Sequence, residues 1–116
     1  EAIDAAENHK ARWALSEIFR DEAFHGAFGF EAAKRFVPRW SDDDRNQLAE
    51  RVAGDIRRFG DRLGIGKPEP ADPRIAELAR LGLLSGARLE ATYTNGVERD
   101  LLPRLRELGL PIRVAT

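Results

Sequence analysis

Apolar positions along this chain recur at three- and four-residue steps, the spacing of helices and not of strands. From Ile3 to about Val37 only Gly26 and Gly29 interrupt a helical run, and Pro38 ends it, because a proline ring cannot continue the hydrogen-bond ladder. Asp4 is the candidate cap at the start of this helix. Ala11, Leu15, Ile18, Glu22, His25, Gly29, Ala32 and Phe36 share one face of it, and six of the eight are apolar or small, so this face is expected to turn inward. A second helix starts at Ser41, with Asp42, Asp43 and Asp44 in its first turn complementing the helix dipole. Its expected inner row is Leu48, Val52, Ile56, Phe59 and Leu63.

The run from Gly64 to Pro73 is dense in Gly and Pro and reads as a loop. Asp72 and Pro73 then begin a short helix. The last long segment carries two signals. Asn95-Gly96 between "ATYT" and "VERD" is a hairpin signature. Leu89, Tyr93, Val97, Leu101, Leu105 and Leu108 keep helical spacing through the same stretch, and we read it as a helix bent near Pro103. The pattern predicts an all-α fold, an antiparallel helical bundle with a long first helix and a short extra helix, forming a single domain over residues 1–116.

Composition narrows the chemistry. The chain has no cysteine, so it offers no disulfide framework, thiolate metal site or thiol nucleophile. Its net charge of -1 gives no long-range attraction to nucleic acid, and no aromatic-basic platform is present. No apolar run is long enough to cross a membrane, and the expected setting is cytoplasmic. The chain lacks Met and opens on Glu1 in a helix-forming run; we expect it to be the C-terminal part of a longer domain.

The candidate site lies in the middle of the first helix. Glu22 and His25 are three residues apart, so both leave the same face towards one point. On an inward face, an unpartnered carboxylate costs several kcal/mol, and protonation, an arginine or a cation must compensate. Glu-x-x-His on a bundle helix is one way to build carboxylate-bridged metal sites. The same spacing also occurs in solvated pairs and in core histidines satisfied by a carbonyl.

"IFRDEAFHGAFGFEAAKRFVP" resembles the Asp-Glu-x-x-His helix of ferritin-like di-iron proteins, of the bacterial ferritin-like and di-iron oxygenase type. The tail "RLGLLSG…LLPRLRELGLP" is also similar to their C-terminal ends. The resemblance implies a ferritin-like half-bundle in which Glu22 and His25 are metal ligands. Asp21 would then be an acceptor that orients a metal-bound histidine on another helix. It further implies two iron ions in a complete site, or manganese, and oxidoreductase activity. Phe24 and Phe28 would keep such a site dry, and Trp13 would fill core space.

A complete centre needs two Glu-x-x-His units and two further glutamates. This chain holds one unit. Its other histidine, His9, lies thirteen residues before Glu22, roughly 20 Å along a helix. The half that is wanting would come from another chain or an N-terminal half, from a homodimer, or not at all if the site has decayed. The expected function is a non-haem di-iron or manganese–iron oxidoreductase, inactive as this chain alone. The alternative is a metal-free helical interaction or oligomerisation module, with Glu22 paired to Arg57 or to Arg20 of another subunit.

Overall fold

Helix α1 (Ala2–Ala5) opens the chain and is followed by α2 (His9–Phe36), the longest element. The computed structural model describes residues 2–114, and every regular element among them is helical. A 3-10 turn (Val37–Arg39) leads into α3 (Asp42–Arg62), followed by α4 (Ile75–Ala79) and α5 (Gly86–Thr94). A π-helical segment (Asn95–Leu101) then joins α5 to α6 (Leu102–Glu107). The all-α expectation holds, and Asn95-Gly96 turns inside a helix with no hairpin.

The first helix starts later than its apolar pattern suggested. Asn8, not Asp4, is the cap of the long helix: its Oδ1 accepts from the backbone N–H of Lys10 (3.0 Å) and Ala11 (3.1 Å). The N–H groups of Glu7 and Asn8 are diverted to the carbonyl of Arg80 (2.9 and 3.3 Å), which breaks the ladder between α1 and α2. Substituting Asn8→Ala orphans two donors at the α2 start. It should lower stability by about 1 kcal/mol, read as a lower urea midpoint at unchanged slope.

Ser41 caps α3 as expected, accepting from Asp44 N–H at 3.1 Å and donating to the Asp44 carboxylate at 2.8 Å. Its buried row is corrected in part. Ile56 is buried as expected, but Ala49, Ala53 and Gly60 are buried beside it, Leu48 and Val52 only flank the core, and Phe59 is 55% exposed. The helix is rotated by about one position from the row of large side chains. Small residues on the inner row allow a neighbouring segment to approach closely, which sums of hydrophobicity do not reward.

The π segment sits directly before Pro103. In a regular helix residue 103 would donate to the carbonyl of Arg99, and Pro has no N–H to give and a ring that crowds that carbonyl. The turn widens instead, and Leu102 N–H reaches back five residues to Val97. Helix α6 ends at Gly109 (φ +89°), where Leu110 N–H bonds to Leu105 O at 3.2 Å, a Schellman closure that needs the left-handed backbone of glycine.

The core joins Val37, Ala49, Ala53, Ile56, Leu102, Leu108, Leu110 and Ile112. Three of these eight lie in the short tail beyond α6, which folds back over α3 and is held by the Arg106 guanidinium donating to Ile112 O. The molecule is long, 51 × 31 × 17 Å, with a radius of gyration of 16.8 Å. A compact chain of this length would have about 13 Å. Much of that excess comes from α2, of which only the last turns join the core.

Candidate functional site

Helix α2 is held at its two ends. At the start, Glu7 pairs with Arg80 (3.2 Å) and the Arg12 guanidinium donates twice to Ala6 O (3.1 and 2.8 Å). At the far end, Phe30 and Ala33 pack on the core, Val37 is buried, and Arg104 stacks 3.8 Å above the Phe30 ring. Between these anchors every residue from Ile18 to Gly29 is exposed.

Asp21, Glu22 and His25 all lie in this bridge. The expectation that their face turns inward within this chain is therefore corrected: all three face open space. So do the aromatic residues expected to shield them, with Phe24 and Phe28 each 70% exposed and Trp13 68%. None of the described residues crosses this stretch, because the core forms at the C-terminal turns of α2 and leaves its middle uncovered.

The helix does bring Glu22 and His25 to one side, as their spacing requires. His25 meets the edge of the Phe24 ring at 6.1 Å between centroids. No third donor joins them: among the described residues there is no group of three or more His, Cys, Asp or Glu able to hold a metal ion. His9 stands at the start of α2, by Glu7, Glu77 and Arg80, far along the axis from Glu22. Arg57 lines a cleft on α3 and makes no ion pair with Glu22 among the described residues. Glu22 and His25 are thus two donors side by side, and the described residues of a single copy add no third.

The fold also forms a cleft of about 500 Å³ between α3, α5 and the π segment. Arg57, Asp61, Glu90, Tyr93 and Glu98 line it. The Tyr93 hydroxyl donates to Ile56 O at 2.8 Å, and its pKa is raised by burial and then by the negative charge of Asp61. Sequence spacing did not reveal this cleft, since its facing walls are more than 20 positions apart; the Pro103 that follows a widened turn was the one available signal. Among the described residues no helix is long and apolar enough to cross a membrane. Compared with protein-family models, curated proteins and solved structures, the chain matches none.

Proposed function

We propose that this chain is one half of a ferritin-like metalloprotein of the non-haem di-iron or manganese–iron oxidoreductase type. In that reading α2 supplies Glu22 and His25, with Asp21 beside them, to a centre inside an antiparallel bundle that another polypeptide completes. One observation carries it. The segment 23–29, "AFHGAFG", has no Asp, Glu, Lys or Arg, yet it lies within the part of α2 that the described residues leave uncovered. A helix apolar on all sides belongs in an interior, and covering a phenylalanine contributes about 1.5–3 kcal/mol. Once such a helix is covered, Glu22 and His25 are enclosed with it and need compensation.

Carboxylate oxygen and imidazole nitrogen suit iron or manganese. A metal bound there would supply redox chemistry with dioxygen. This chain's share is to orient one carboxylate and one imidazole, while Phe28, three residues beyond His25 on the same side, excludes water from the covered site.

The test is the metal content of freshly purified protein in its native assembly, beside the double variant Glu22→Ala, His25→Ala. Stoichiometric iron or manganese that disappears in the variant is the expected result. A metal-free protein whose stability the double substitution leaves unchanged or raises overturns it. That outcome would support a metal-free interaction module, the reading favoured by the absence of a third donor among the described residues.

A further inference from the structure

We infer that the polypeptide covering α2 is a second copy of this chain, laid antiparallel along the row Ala11, Leu15, Ile18, Glu22, His25, Gly29, Ala32, Phe36. This deepens the metal-centre reading by naming its partner, and rests on that reading only for the cation. The row is symmetric about a point between Ala23 and Phe24, so a two-fold axis there sets residues equidistant from it against each other. Phe36 meets Ala11 of the second copy, Leu15 meets Ala32, and Ile18 meets Gly29. Each large side chain finds a small one. At the centre, Glu22 of each copy faces His25 of the other, carboxylate against imidazole, twice.

The charge pattern decides the direction. A parallel pair would set Glu22 against Glu22, His25 against His25 and Phe36 against Phe36. The antiparallel pair exchanges every one of these conflicts for a complementary contact. The notch it needs is open, since a Cβ built on Gly29 meets nothing within 4 Å. At 100° per residue the row lies roughly a quarter-turn from the core-facing Phe30, Ala33 and Val37, so the second helix and the core occupy different sides of α2. The axis gathers two carboxylates and two imidazoles within one turn, a donor set for a divalent first-row cation.

Sedimentation of the wild-type chain, with and without Mn(II), reads the association directly. A dimer is expected, weakened by at least roughly tenfold in Gly29→Leu, whose added bulk strikes Ile18 of the second copy. The open space at Gly29 predicts an unchanged circular dichroism spectrum for that variant. Glu22→Lys alone should also weaken the dimer, and adding His25→Glu should restore it by exchanging the two charges. A chain that stays monomeric at its solubility limit, or a dimer indifferent to Gly29→Leu and to the charge exchange, overturns the inference. Metal that co-purifies with a monomer or with a different partner also overturns it, while leaving the metal-centre reading standing.

Discussion

Ile112→Ala should lower the unfolding free energy by about 3 kcal/mol, within the range for emptying a well-packed aliphatic site. Ile112 is the most enclosed large side chain of the described residues, 1% exposed, although it lies in an irregular tail. Its neighbours in the core come from the end of α2, the small-residue row of α3 and α6. The tail cannot readily collapse into the vacated space, because Arg106 holds the Ile112 carbonyl and Leu110 already fills the adjoining position. Against a total stability of about 5–15 kcal/mol, this loss is large. Thermal unfolding should fall by on the order of 10 °C. Phe28→Ala removes a larger side chain from an exposed site and should change stability by no more than about 0.5 kcal/mol. A loss at Ile112 no greater than that at Phe28 would show that the tail is not part of the core.

Gly60→Ala should destabilise the chain by about 1–3 kcal/mol, although the same change in an exposed helix interior gains about 1 kcal/mol. An added Cβ would stand 2.8 Å from the Tyr93 hydroxyl oxygen and 3.1 Å from the ring carbon that bears it. Tyr93 cannot retreat without giving up its hydrogen bond to Ile56 O, itself worth about 1 kcal/mol. The decisive comparison is a double-mutant cycle: in a Tyr93→Ala background, Gly60→Ala should become neutral or stabilising. A destabilisation that persists there would locate the strain elsewhere.

The same tyrosine predicts a pH effect. Burial and the Asp61 charge raise its pKa in the folded chain, so the folded state holds the phenolic proton more tightly than the unfolded state. Its contribution is complete below the ordinary phenol value of about 10 and is lost as pH rises through the higher folded value. Alkaline denaturation of the wild type should therefore be steeper above about pH 10 than that of Tyr93→Phe.

How legible the molecule was varied with the kind of force involved. Local chemistry was readable. Ser41 caps α3, Pro38 stops α2, and the row from Leu89 to Leu108 is helical despite Asn95-Gly96. These features depend on neighbours within a turn, where spacing, capping oxygens and missing N–H groups act directly. The π segment was only half readable: Pro103 announced a disturbance and not its form.

Burial was misread wherever it depended on what lies opposite. The α3 row of large residues lost its central place to Ala49, Ala53 and Gly60, because the distance of closest approach is set by the smallest side chains. The α2 face was read as inward on its amphipathic pattern, and among the described residues its middle, from Ile18 to Gly29, stands exposed.

The order of residues alone decided that this chain is helical, where α3 is capped and α2 is stopped, and that Glu22 and His25 emerge together from one side of the longest helix. Three-dimensional packing alone decided that a non-helical tail closes the core through Ile112, that Gly60 makes room for Tyr93, and that the Glu22–His25 turn stands uncovered. The physical reason is range. Helix formation and capping are settled among residues within about four positions of each other, whereas enclosure requires surfaces from distant parts of the chain, or from another molecule, to arrive at the same place.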